Sequence, residues 1–313
     1  MSMLEMDSEG ATKEDLSQIE GLLRKISCKE LKRRIESFNK NYKTFGSDDI
    51  YEKIKDVFMI QVGSLRAGAF PAQEKEYDPA GIFYRARIWR KEFEDLPGSE
   101  FWAAPGEKIE GYGRINRPAQ GLLYTSEGQI HTTFEEIRAT PQSKVLLMAY
   151  QAKETLRVAT MGSRFGVDLS SDAKKKLDLI RKFINQNLLA AGEGAYLFSS
   201  EFTNSIMNSS PDGWAYPSTL VSGGENVCFR PESQHKLELL EVFAFSGTEN
   251  GKLAPVGFFL PKHDGHYEYQ ADSEAADARL CNFILKHRRM TSSNDRSTLE
   301  QRKTVSTTTR LIP

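Results

Sequence analysis

Apolar positions recur at helical spacing early in the chain and at strand spacing further on. Leu16, Ile19, Leu22, Leu23 and Ile26 share one helical face, and Thr12 with Asp15 reads as a capping box ahead of them. Ser27 and Glu30 form a second box, opening a helix that carries Leu31, Ile35, Phe38 and Tyr42. A third helix follows Ser47, with Ile50, Ile54, Val57 and Phe58 on one side. Residues 62–79 then bring glycine and proline and read as a connection. The alternation in Ile82–Trp89 predicts a strand, which puts Arg85 and Arg87 on one face. Leu122, Leu123 and Tyr124 form a short strand, and the helix after it carries Glu135 and Glu136. A buried strand is expected at 145–150, a long helix at 172–192 and a shorter one at 201–208. Strands at 226–229, 237–245 and 255–260 and a helix at 272–288 complete the pattern. Helices and strands mix without regular βαβ alternation, which predicts an α+β fold rather than a doubly wound parallel sheet.

This pattern divides the chain. Residues 1–11 are polar and expected to be disordered, 12–75 form a helical region with its linker, and 76–245 form the main domain. Residues 246–290 supply closing strands and a helix packed on the core. Residues 291–313 are rich in Ser and Thr, lack aromatics and are expected to be a disordered tail. The helical faces ahead of the main domain are too small to bury themselves, so they should pack on that core or on a second subunit.

Composition narrows the function classes. The 313 residues are 39% hydrophobic, enough for a real core, and 42 basic residues balance 43 acidic ones. A net charge of -1 argues against nucleic acid or an anionic membrane as the main partner. No apolar run is long enough to span a bilayer, and the acidic start does not read as a secretory signal. Cys28, Cys228 and Cys281 lie far apart, and no pair has zinc-site spacing. Buried thiols in a reducing compartment, the cytoplasm, are the expectation.

The candidate chemistry gathers in residues 113–136. Arg114 and Asn116 follow Gly113 in a turn, Tyr124 closes the short strand, and Glu135 comes on the next helix. Loop, strand and helix can thus converge three side chains on one cleft, and a guanidinium at a glycine turn can grip a phosphate or carboxylate. Ser218 follows Pro217 in a polar, glycine-containing stretch. Gly111 and Gly113 lack the third glycine of a dinucleotide fingerprint. His263 and His266 have no further ligand nearby in sequence, so they read as a polar turn and no metal is expected.

Taken in order, Gly113-Arg114-x-Asn116, Leu122-Leu123-Tyr124, Glu135, Asp212-Gly213-x-x-Tyr216-Pro217-Ser218 and Asn226-Val227-Cys228-Phe229 resemble the RES domain family. That family is named for an arginine, a glutamate and a serine. Tyr84-Arg85 looks like its opening strand, and the likeness spans residues 80–232. The resemblance implies an ADP-ribosyltransferase-like fold, a split sheet around a cleft that holds NAD as substrate, with no separate cofactor. It implies Glu135 beside the ribose, Arg114 and then Arg85 on the pyrophosphate with Asn116 nearby, Tyr124 flanking the nicotinamide ribose, and Ser218 orienting a hydroxyl or the carboxylate. Family members cleave NAD by hydrolysis or phosphorolysis, or transfer ADP-ribose to a protein, and many are toxins silenced by a partner. The expected function is therefore an NAD glycohydrolase or phosphorylase, and a growth-inhibiting toxin with an antitoxin. The alternatives are an ADP-ribosyltransferase and a silent domain that binds a nucleotide or a protein.

Overall fold

The computed structural model describes residues 13–301 apart from 63–64, 69–72, 162–168, 189, 191–192, 209 and 249. The expected disorder of 1–11 lies outside the described residues. The chain opens with three helices, α1 (Lys13–Leu23), α2 (Cys28–Asn41) and α3 (Ser47–Phe58). The second begins where its box predicts: Ser27 Oγ accepts from Glu30 N at 3.1 Å. Two short strands follow, β1 (Met59–Val62) and β2 (Leu65–Gly68), paired as a hairpin. Then come β3 (Gln73–Tyr77), β4 (Ile82–Trp89), β5 (Leu96–Pro97), β6 (Leu123–Glu127) and α4 (Ile130–Glu136). Next are β7 (Lys144–Ala152), β8 (Leu156–Thr160), α5 (Ser171–Leu188) and α6 (Glu193–Glu201). The chain closes through β9 (Gly213–Pro217), β10 (Glu225–Phe229), β11 (Leu237–Gly247), β12 (Leu253–Pro261), β13 (His266–Gln270) and α7 (Ser273–Gln301).

An 11-stranded sheet runs β3-β8-β9-β10-β6-β4-β7-β11-β12-β13-β5. Its β8–β9 pair is parallel, and the other pairs in it are antiparallel. With helices packed on it, this is the α+β class that the pattern predicts.

Two corrections concern places where the hydrophobic pattern was silent. The expected connection at 62–79 contains β2 and β3. Strand β3 is the polar run QEKEY with one buried aromatic, Tyr77, and its pairing is set by backbone bonds to the edge of β8. Strand β13, HYEYQ, was missed for the same reason. At the other end, α7 continues to Gln301, past the Arg288 end read from the sequence. No glycine or proline stands between Arg288 and Gln301 to stop it. The rest of the tail lies outside the described residues.

The two faces of the sheet carry different cores. One face holds Phe83, Leu123, Met148, Tyr150, Val227 and Phe229 in a single apolar cluster. The opposite face holds two clusters. One is helical: Phe38 of α2 meets Phe183 of α5 and Phe198 of α6 with ring centroids 5.1 and 5.7 Å apart. The leading helices therefore pack on the chain's own core, the first of the two places expected for them. The other cluster joins Val145, Leu147, Phe243 and Phe245 to Phe283 of α7 and Phe134 of α4. Between these two clusters runs a more polar row. Register places Tyr84, Ser126, Asn226 and Tyr216 side by side across β4, β6, β10 and β9. Strands β4 and β6 pair through Phe83 and Tyr84 alone, so the sheet opens beyond that point.

Candidate active site

The site is built on the polar row. Helix α4 lies over β4 and β6 and is anchored by Phe134, whose ring meets Phe245 at 5.1 Å. Thr132 and Thr133 are buried on its inner side. Adjacent helix positions point about 100° apart, so the two glutamates diverge, Glu136 towards the side of Thr133 and Glu135 towards that of His131. The side chain of Glu135 is 52% exposed, and its Oε1 is 3.9 Å from His131 Nδ1. Glu136 is the carboxylate brought into the site. Ser218 Oγ and Asn226 Nδ2 each donate to its Oε1 at 2.7 Å. Glu135, the glutamate expected from the sequence, is not the one that Ser218 and Asn226 hold.

Ser218 is committed on every side. Its Oγ accepts from Leu220 N and Val221 N at 3.1 and 3.0 Å while donating to Glu136. Its own N–H donates to Gly224 O at 2.8 Å, closing the turn between β9 and β10. This serine holds the carboxylate of Glu136, whereas the resemblance implies Glu135 as the carboxylate beside it.

Tyr124 and Asn116 work on the loop ahead of β6. The Tyr124 hydroxyl accepts from Ile115 N and Asn116 N and donates to Asn116 Oδ1 at 2.9 Å. Asn116 Nδ2 donates to Gly111 O and Arg117 O. Both side chains thus hold the loop in shape, and their polar atoms are not free for a ligand. Burial pushes the Tyr124 hydroxyl above its ordinary pKa. Gly113 is required here, because a Cβ would overlap Asn116 Oδ1. The loop is also fastened outward: Arg117 Nε and Nη2 donate to the two oxygens of Glu201 at 2.7 and 2.5 Å. That forked ion pair joins residues 84 positions apart and leaves no trace in the local pattern.

The loop presents Arg114. Its Nη1 donates to Leu188 O at 2.8 Å, at the C-terminal end of α5, where a cation is favoured. Its guanidinium lies 5.7 Å from the ring centroid of Tyr196. Arg85 stands at the opening between β4 and β6. As a whole it keeps some contact with solvent, but its Nη1 is sealed and has no hydrogen-bond partner. Burial, together with the charge of Arg87, disfavours its cationic form, while Tyr150 and Cys228 favour it. Arg87, on the same face as expected, is instead paired with Glu100 at 2.9 Å. Burial pushes the Cys228 thiol up, which makes it a poor nucleophile.

Tyr216 feels the charges of both Glu136 and Arg114, and Tyr124 feels Arg114. A fixed carboxylate and Arg114 thus stand over the polar row, whereas Arg85, which pairs with Met148, points by strand alternation to the opposite face with Phe83 and Tyr150, though Cys228 feels its charge.

This arrangement defines an α+β protein with one oriented carboxylate held over its sheet. Residues 82–246 match the RES domain, and the chain belongs to that family, whose chemistry is in general NAD-related. No curated protein matches the chain.

Proposed function

We propose that this protein cleaves NAD at the bond between nicotinamide and ribose. The observation that carries the reading is Glu136, a carboxylate whose Oε1 is fixed by Ser218 and Asn226. A guanidinium can grip a dinucleotide pyrophosphate. Arg114, whose charge reaches Tyr216 as that of Glu136 does and whose bond to Leu188 uses Nη1 alone, is the cation for that group.

The chemistry follows from the substrate. In NAD the nicotinamide nitrogen is cationic, so the bond to C1′ breaks with its electron pair leaving on a neutral nicotinamide. No acid is needed. Positive charge grows on the ribose ring, and a carboxylate held close to it lowers the barrier. Glu136 is that carboxylate, and Ser218 orients it. Water then adds to C1′ and loses a proton to solvent, giving ADP-ribose; a phosphate oxygen adding instead gives the 1″-phosphate. Transfer to a protein uses the same cleft with a different acceptor. An unchecked activity of this kind drains NAD, which makes a growth-inhibiting toxin restrained by a partner protein the biological reading.

Incubating the purified protein with labelled NAD alone, with added phosphate and with an added acceptor protein tests this by product analysis. Free nicotinamide with ADP-ribose supports hydrolysis, and the 1″-phosphate supports phosphorolysis. Label that stays on added protein supports transfer. NAD left intact under all three conditions overturns the enzymatic reading.

A further inference from the structure

Resting on the reading that Glu136 serves NAD cleavage, we infer that Asn226, backed by Ser126, is a positioning residue that decides which oxygen of Glu136 meets the ribose. Asn226 is 5% exposed and Ser126 is 2% exposed, so neither is an adaptable surface group. They face each other by register across β10 and β6. Ser126 Oγ donates to Asn226 Oδ1 at 2.9 Å, and Asn226 Nδ2 donates to Glu136 Oε1 at 2.7 Å. A carboxylate only accepts, so the amide must turn its NH2 towards Glu136, and the serine hydroxyl holds it that way round. Oε1 also takes the Ser218 hydroxyl. Two donors therefore converge on one oxygen, while Oε2 has no hydrogen-bond partner among the described residues.

The two oxygens are thereby made unequal. Oε1 is the fixed end, and Oε2 is the one left to accept from a ribose hydroxyl and face the developing charge. Ser218 stands on a turn, whereas Asn226 stands within the sheet, so it is the rigid half of the clamp. Without it the carboxylate can pivot about a single bond to Ser218, and small misplacements of a catalytic group lower rates steeply.

The test measures NAD cleavage by the wild type, Asn226→Ala, Ser126→Ala, Glu136→Gln and the two double variants that combine Glu136→Gln with each. Folding is checked by thermal melts. Asn226→Ala should lower kcat by about 10-fold or more with KM for NAD nearly unchanged, and Ser126→Ala should lower it less. On the Glu136→Gln background either substitution should change the rate by less than about twofold, because its effect passes through the carboxylate. Ser126→Ala carries the same test if Asn226→Ala does not fold. Full rates in the foldable single variants, or losses that add to that of Glu136→Gln, overturn the inference while leaving NAD cleavage standing. A wild type that leaves NAD intact overturns both.

Discussion

At the scale of single residues, the adjacent pair Glu135 and Glu136 is the sharpest case. One lies on the exposed side of α4 with His131, and the other is held by Ser218 and Asn226. Glu136→Gln keeps the shape and removes the charge, so NAD cleavage should fall by about 10²-fold or more, the scale of one lost electrostatic contributor. Glu135→Gln should retain the wild-type rate in the same assay. Arg85 gives a stability prediction. Its buried Nη1 has no partner, and an uncompensated buried cation destabilises a fold. Arg85→Met should therefore melt at a temperature equal to or above that of the wild type, and NAD cleavage should stay near the wild-type rate because the side chain points to the face opposite Glu136. Calorimetry and the same assay read the two effects separately. A variant that melts lower would show Arg85 to stabilise the fold, and one that melts normally but loses cleavage would put Arg85 in the site.

At the scale of elements, the loop from Gly113 to Gln120 behaves as a part with its own fastenings. Tyr124 pins it from the sheet, Arg117 pins it to α6, and Gln120 Nε2 donates to Asn204 Oδ1 at 2.8 Å. Tyr124→Phe deletes one hydroxyl but frees two backbone N–H groups and the Asn116 carbonyl oxygen at once. The expected loss is about 1–3 kcal/mol in urea unfolding, the range for buried polar groups left unsatisfied. NAD affinity should weaken too, because the same loop carries Arg114. A loss of turnover with unchanged stability and affinity would instead give the hydroxyl a direct part in the chemistry. Helix α4 is a second such element: seven residues long and anchored through Phe134, it delivers Glu136 from its last position.

At the scale of the whole molecule, the match over residues 82–246 sits inside a larger packed unit. The leading helices complete the apolar layer on one side of the cleft, and α7 backs the other side. A buried carboxylate ties distant segments together on this scale. Asp212 accepts from Arg157 N at 2.8 Å and Ser233 Oγ at 2.8 Å, and pairs with Lys236 at 2.9 Å. Burial raises its pKa, but those donors outweigh burial and hold the carboxyl below its usual range. The sign follows from linkage: a lowered folded pKa adds stability that is present above about pH 3.9, the ordinary Asp value, and is lost as pH falls through the folded value. Asp212→Asn should be less stable than the wild type at neutral pH, and the gap should shrink as the pH is lowered below that value. Denaturant melts across the acid range check this; a constant gap would assign the loss to packing alone.

Local rules act over a few residues, and what they govern was legible in the sequence. The capping box at Ser27 and Glu30, the apolar faces of α2 and α3, the alternation in β4 and the arginine at a glycine turn all follow from spacing within one or two turns. The family likeness rests on the same short segments in the right order. Tertiary structure alone decided what depends on distant partners. Glu136 is chosen over Glu135 by donors 82 and 90 positions away, and Arg117 finds Glu201 across 84. The polar strands β3 and β13 exist because a sheet edge offers them backbone partners, not because their side chains alternate. Arg85 reads in sequence as one more strand arginine beside Arg87. Only the folded structure shows one of its nitrogens sealed and without a partner.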